Sequence, residues 1–89
     1  MLRITKTFED DTRMTLRLDG KIVSTTTAEL EEACRQYRNG GGKALSLDVS
    51  GVTFIDDDGL GMLKKIKRRG IAMVNGSPFV ETLLGRLKK

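Results

Sequence analysis

The feature that most constrains the fold is a repeated change of hydrophobic period along 89 residues. Period-two alternation, typical of strands, opens the chain at Leu2 and Ile4 and returns between Met14 and Leu18. Helically spaced segments then alternate with short apolar ones, which predicts the order β-β-α-β-α-β-α. Because such alternation implies parallel pairing through right-handed crossovers, we expect one α/β domain over residues 1–89. Its mixed four-stranded sheet would carry an antiparallel edge strand and flanking helices.

The first helix is predicted from its start signals and its apolar face. Thr26 and Glu29 have the spacing of a capping box, in which each side chain bonds the other residue's backbone N–H. The helix is expected to end near Arg38, before three consecutive glycines. Glu31 and Arg35 stand four residues apart, which predicts an ion pair on its outer face.

The remaining elements are predicted from shorter signals. The apolar segment 44–49 is typical of a buried strand, which we expect to end at Ser50 and Gly51. An apolar link would follow it, consisting of Val52, Phe54 and Ile55. The last helix is expected to begin at Ser77 and Pro78, with an apolar stripe at Val80, Leu83, Leu84 and Leu87.

Composition excludes several kinds of function. The chain has no histidine and a single cysteine, Cys34, so it can form neither a Ser-His-Asp triad nor an internal disulfide. No apolar run approaches the ~20 residues that cross a bilayer, and the first residues lack the apolar segment of a signal peptide. We expect a cytoplasmic protein that is not an enzyme and needs no cofactor or metal, with Cys34 packed in the core.

The formal net charge of +4 is unevenly distributed. Residues 45–63 hold four aspartates and no Lys or Arg, whereas residues 64–89 hold eight Lys or Arg and one Glu. A helix that is acidic at its start and basic at its end is what its dipole favours. A basic surface that binds nucleic acid or anionic lipid is the alternative, although few aromatic residues are available for base stacking.

Three consecutive aspartates, Asp56, Asp57 and Asp58, form the motif with most chemical content. One of them can cap the following helix, but one cap does not explain three adjacent carboxylates. A divalent-cation site is a second interpretation, but the EF-hand pattern fails because the run is contiguous and residue 67 is lysine. A phosphatase nucleophile motif is a third, and Leu60 does not fit it.

A fourth interpretation rests on resemblance to a family. The run from Leu45 to Leu63 strongly resembles the signature of STAS domains, the sulfate-transporter and anti-sigma-factor-antagonist family. Gly20-Lys21-Ile22 before the first helix, and the segments 70–75 and 80–84, also resemble that family. The resemblance covers nearly the whole chain, and it implies the same order of strands and helices.

The resemblance implies a small switch protein of the anti-sigma factor antagonist type. Such a protein binds an anti-sigma factor, often a serine kinase, and phosphorylation of a Ser or Thr after the signature aspartate abolishes binding. Asp56 matches that signature residue, whereas Asp57 occupies the phosphoacceptor position. Val23 stands where the family often has aspartate. We therefore expect a site that is not switched, because it resembles the phosphorylated state or because it binds its partner independently of phosphorylation.

The predicted partner surface combines the loop before the first helix with the start and exposed face of the second. Its residues are Ile22, Val23, Ser24, Asp56, Asp57, Asp58, Gly59, Met62, Lys64, Lys65 and Arg68. The expected partner is an anti-sigma factor or serine kinase, and the alternative is the ATPase subunit of a phospholipid-transport ABC complex. The chain itself would be a monomer or a weak homodimer. Ser50 and Thr53 are expected to serve the turn, and Asp48 to bond backbone near Gly51.

Overall fold

A computed structural model describes residues 2–39 and 44–85. The elements follow the predicted order of strands and helices. They are β1 (Leu2–Glu9), β2 (Arg13–Ile22), α1 (Thr27–Asn39), β3 (Ala44–Ile55), α2 (Asp57–Arg68), β4 (Ala72–Val74) and α3 (Pro78–Gly85). The predicted glycine run at 40–42 and the Leu87 position of the apolar stripe lie outside the described residues, as does the side chain of Leu84.

The four strands form one mixed sheet in the order β1-β2-β3-β4. The β1–β2 hairpin is antiparallel, whereas β2–β3 and β3–β4 are parallel pairs. At the hairpin turn, the Asp10 carboxylate accepts the backbone N–H groups of Thr12 and Arg13, at 2.8 and 2.7 Å. These bonds lower the pKa of Asp10. The α1 and α2 crossovers advance the sheet one strand at a time in the same direction.

One face of the sheet carries the core. Buried side chains from β1, β2 and β3, from α1, α2 and α3, and from Ile71 before β4 form a single apolar cluster. Leu16, Leu18 and Leu47 are among its fully buried members, and alternate positions such as Arg17 point the opposite way, where they are exposed. Cys34 lies inside this cluster, and burial raises the pKa of its thiol to about 11.

The prediction that β3 ends at Ser50 is wrong. β3 runs on to Ile55, and the register of its pairing with β2 shifts between Arg17 and Asp19 and again after Gly20. These irregularities let the strand continue past Gly51 instead of turning. Of the predicted apolar link, Val52 and Ile55 are buried, but Phe54 is 48% exposed.

Two predicted local contacts also differ from those observed. The Thr26 hydroxyl accepts the Val23 N–H at 2.9 Å and lies 3.0 Å from the Lys21 carbonyl oxygen, so it organises the preceding loop instead of forming a capping box. Arg35 pairs with Glu32 rather than Glu31, at 2.7 Å, because Glu31 is engaged by α2. The predicted start of α3 is confirmed, since the Ser77 hydroxyl accepts the N–H of Val80.

Candidate functional site

Asp56 joins two segments that are far apart in the chain. Its Oδ1 accepts the backbone N–H of Gly59 at 2.7 Å, which caps α2. Its Oδ2 accepts the backbone N–H of Ser24 at 3.1 Å, from the loop between β2 and α1. The Asp56 N–H in turn donates to the carbonyl oxygen of Ile22 at 3.2 Å. One carboxylate thus fixes the position of the β2–α1 loop relative to the start of α2.

Gly59 allows α2 to approach the end of β2 closely. A Cβ atom at this position would collide with the carbonyl oxygen of Ile22. Gly59 and Ile22 are both buried. Both residues were predicted to belong to the partner surface, and their burial contradicts that prediction, because the structure uses them for packing at the base of the site.

Asp57 and Asp58 occupy the first turn of α2, where both are exposed. Their negative charge lies beside the positive end of the helix dipole, which stabilises it. Asp56 is different, since both of its carboxylate oxygens already accept backbone N–H groups. The three aspartates thus divide between one structural residue and two whose carboxylates face solvent.

The exposed face of α2 continues from these acids to a basic end. Lys64, Lys65 and Arg68 are exposed, whereas Met62 is half-buried. Lys65 also crosses to α1, where its Nζ lies 3.0 Å from Glu31. This bond and the charge of Lys65 lower the pKa of Glu31, with a smaller contribution from Arg69 at 3.4 Å.

The loop before α1 supplies the other half of the predicted partner surface. Ser24 is exposed and Val23 is half-buried, and the bonds from Thr26 and Asp56 hold both in place. Phe54, two residues before Asp56, is a large exposed apolar side chain. The local sequence does not indicate this exposure, because an apolar residue between Val52 and Ile55 fits a buried segment equally well. Only the irregular pairing at the end of β3 turns it outward.

Asp48 and the two hydroxyl residues after it have structural contacts. The Asp48 carboxylate accepts the backbone N–H of Ser50 at 3.0 Å and the Asn75 amide at 3.2 Å. Burial opposes the effect of these bonds, but together with nearby Arg17 they lower the pKa of Asp48. The Thr53 hydroxyl donates to the carbonyl oxygen of Gly20 at 3.2 Å. Asp48 thus bonds backbone as predicted and also joins β3 to the turn after β4.

Two further observations bear on the class of site. Across residues 2–39 and 44–85, no group of three or more His, Cys, Asp or Glu side chains is arranged to hold a metal ion. No helix in the same part of the chain is both long enough and apolar enough to cross a bilayer.

Comparisons with known proteins agree with this architecture. A family model described as Mlab, STAS domain matches residues 6–87. The unphosphorylated form of the anti-sigma factor antagonist SpoIIAA is similar in structure, with a TM-score of 0.67 and 13% identity over 93% of this chain and 78% of that one. No curated protein matches the chain.

Two structures of Mglu are also similar. Its native form gives a TM-score of 0.62 at 22% identity, covering 84% of this chain and 23% of that one. A second Mglu structure gives a TM-score of 0.60 at 23% identity, covering 82% and 19%. The chain therefore spans about a fifth of the Mglu chain. Because the family model covers residues 6–87 and the order of strands and helices agrees with the SpoIIAA fold, this chain belongs to the STAS domain family.

Proposed function

We propose that this STAS domain is a regulatory docking protein of the anti-sigma factor antagonist type. Its binding to a partner is not switched by a kinase at Asp57. STAS domains of this kind are regulatory protein-interaction modules. The docking surface consists of Val23, Ser24, Asp57, Asp58, Met62, Lys64, Lys65 and Arg68. Phe54, which is exposed two residues before Asp56, offers a partner an additional apolar contact.

The observation that carries the proposal is the double hydrogen bond of Asp56. It holds the loop at Ser24 and the first turn of α2 in one fixed arrangement. A partner that contacts both segments meets a surface already organised, which reduces the entropy lost on binding. The charge pattern of that surface, acidic at Asp57 and basic at Lys64, favours a partner with the complementary pattern.

The residue at the switch position supports binding that is independent of phosphorylation. Asp57 has no hydroxyl that could accept a phosphate in an ester. Its carboxylate carries one negative charge, whereas a phosphoserine carries about −1.5 to −2. Asp57 therefore carries a permanent charge that lies between that of an unmodified serine and that of a phosphoserine. The surface thus has one fixed charge at this position, whereas a relative that is switched would alternate between an unmodified and a phosphorylated charge state.

The test uses purified anti-sigma factors and serine kinases from the same organism as partner candidates. We expect wild type to bind, and Asp57→Arg to weaken binding at least tenfold because it reverses a charge in the docking surface. Asp11→Arg is the matched control, since Asp11 is an exposed aspartate at the opposite end of β2. Equal effects of the two substitutions would refute the docking surface.

The absence of a switch needs its own measurement. Wild type incubated with the kinase and ATP should bind as before and carry no phosphate on the peptide with Asp56 to Asp58. Asp57→Ser should accept phosphate there and then lose the partner. Phosphate on the wild-type peptide, or loss of wild-type binding on adding ATP, would contradict the proposal.

A second candidate function is that of a STAS-like subunit that binds the ATPase of a phospholipid-transport ABC complex. The observation that favours it is the family model, which carries the description Mlab rather than that of an antagonist. The same docking surface serves both candidates. Binding measured in parallel to an ABC ATPase subunit and to an anti-sigma factor separates them, since each candidate requires binding to one and not to the other.

A further inference from the structure

The charges along α2 are antisymmetric about Gly61. Asp57 and Asp58 precede this glycine by four and three residues, and Lys64 and Lys65 follow it by three and four. Positions three and four residues from Gly61 share its face of the helix. All five residues are exposed, and we call them the α2 ridge. Acid on one side of the centre is therefore matched by base at the same distance on the other.

Such a pattern is complementary to itself under a two-fold axis. When a second copy of α2 lies antiparallel with Gly61 at the axis, Asp58 comes level with Lys64 of that copy, and Asp57 with its Lys65. Each match occurs twice, because a two-fold interface uses every residue two times. Lys65 already contacts Glu31 at 3.0 Å, but an ammonium group has three donors and can serve both carboxylates.

Gly61 also leaves room for close approach. A Cβ atom built on it has no neighbour within 4 Å, unlike one built on Gly59, so packing within the domain does not require a glycine here. A glycine in an exposed helix interior lowers helix stability relative to alanine. Its benefit would come from a contact outside the domain, because the distance between two helices depends on the side chains at their crossing.

We propose that two copies of this chain pair weakly through the α2 ridge, antiparallel about Gly61, and so cover their own docking surface. A single helix crossing buries less than the roughly 1,200–2,000 Å² of a stable interface. The dimer therefore forms only at high concentration and dissociates as salt screens its exposed charges. The pairing stands by itself. Only its consequence, competition with a partner, rests on the proposed function.

Sedimentation equilibrium of the full chain at low salt tests the pairing without any partner. Over about 10 μM to 1 mM, the average mass of wild type should rise from 9.8 kDa towards twice that value. Lys64→Glu should weaken the dimer about tenfold, because it changes two pairs at once. Lys67→Glu is the matched control, since it changes the same charge on another face of α2 and should leave the dimer intact.

Two further variants distinguish this arrangement from general charge effects. Gly61→Leu should abolish the dimer while raising the melting temperature, because it blocks the approach and improves helix propensity. Lys64→Glu/Lys65→Glu and Asp57→Lys/Asp58→Lys should each be monomeric alone but form a heterodimer when mixed. Circular dichroism confirms that each variant is folded. If Asp57→Lys/Asp58→Lys does not fold, Lys64→Glu and Gly61→Leu are sufficient to test the pairing.

The results distinguish failure of the pairing from failure of the proposed docking surface. A wild type that stays monomeric at low salt would overturn the pairing, as would a dimer that Lys64→Glu and Lys67→Glu weaken equally or that survives Gly61→Leu. If the dimer behaves as expected but the Asp57→Arg variant binds the partner normally, the pairing stands and the proposed docking surface fails. Partner binding that declines at dimer-forming concentrations would support occlusion.

Discussion

Two runs of acidic residues, at opposite ends of β2, use the same chemistry over very different distances. At the hairpin, Asp10 accepts the N–H groups of residues two and three positions later, and its bonds stay within one turn. At the start of α2, Asp56 accepts one N–H three residues later and another 32 residues earlier. Both runs thus place one aspartate on backbone donors, but only Asp56 connects separate elements.

A cluster of acidic residues therefore does not by its presence mark a binding site. The hairpin run satisfies a turn and leaves Asp11 exposed. The α2 run ties a loop to a helix and, beside that fixed point, exposes Asp57 and Asp58 on a surface built from two segments. What differs is the long-range bond. If that bond and the close packing at Gly59 matter, substitutions at the start of α2 should affect stability and partner binding more than substitutions at the hairpin.

The largest expected effect is at Gly59, where the close packing below the site depends on the absence of a side chain. Gly59→Ala should destabilise the domain by about 3 kcal/mol, because its Cβ would collide with the Ile22 carbonyl oxygen. Urea denaturation measures the loss. Gly61→Ala, on the open face of the same helix, should instead stabilise by about 0.5–1 kcal/mol. A loss of stability in both variants would show that the helix resists alanine generally.

The next effect compares the two aspartates directly. Asp56→Ala should cost about 2 kcal/mol, since it removes a cap and leaves the Ser24 N–H without its acceptor. Asp10→Ala should cost clearly less than Asp56→Ala, because only local turn bonds at an exposed site are lost. Hydrogen exchange adds a second readout. The Ser24 amide should lose protection in Asp56→Ala only, and unchanged protection there would contradict the role of Asp56 as its acceptor.

A smaller effect on stability is expected from the exposed acids. Asp57→Asn should change the free energy of unfolding by about 0.5 kcal/mol, through the helix dipole alone. Asp11→Asn should change it by no more than that. Partner affinity should nevertheless fall in Asp57→Asn and remain constant in Asp11→Asn. Parallel melting curves and binding titrations give both quantities for each variant, and a shared affinity would place Asp57 outside the docking surface.

The smallest expected effect is the loss of stability at low pH through Asp10 at the hairpin. The pKa of Asp10 is lowered in the folded state by its bonds to the Thr12 and Arg13 N–H groups. Its contribution is therefore fully present above the ordinary value of 3.8 and is lost as pH falls through the lowered pKa. Denaturation midpoints measured between neutral pH and this acidic range should fall less steeply in Asp10→Asn than in wild type. Identical slopes would contradict this assignment.

Much of the fold was predictable because local periodicity reports it. The alternation at Met14 to Leu18 and the helical start at Ser77 are short-range signals, and both predictions are confirmed. The continuation of β3 past Gly51 was not predictable, because it depends on irregular pairing with a separate strand. The exposure of Phe54 follows from the same irregularity.

The site shows the same division between local and long-range information. A cap at Asp56 is a local expectation, and the Gly59 N–H fulfils it. Its second bond, to Ser24, depends on where a crossover brings the β2–α1 loop, and no local pattern specifies that. Glu31 was likewise expected to pair within α1 but pairs with Lys65 of α2. Contacts between elements are where inference from sequence failed.

The sheet order β1-β2-β3-β4 has a consequence for how this domain assembles. Within residues 2–39 and 44–85, spatial order equals chain order, so each strand pairs with its sequence neighbours. When β3 leaves the ribosome, the hairpin it joins has already been synthesised, and the same holds for β4 and β3. Because no late strand must insert between earlier ones, the domain can grow in the direction of translation, and its partly made forms expose only one growing edge.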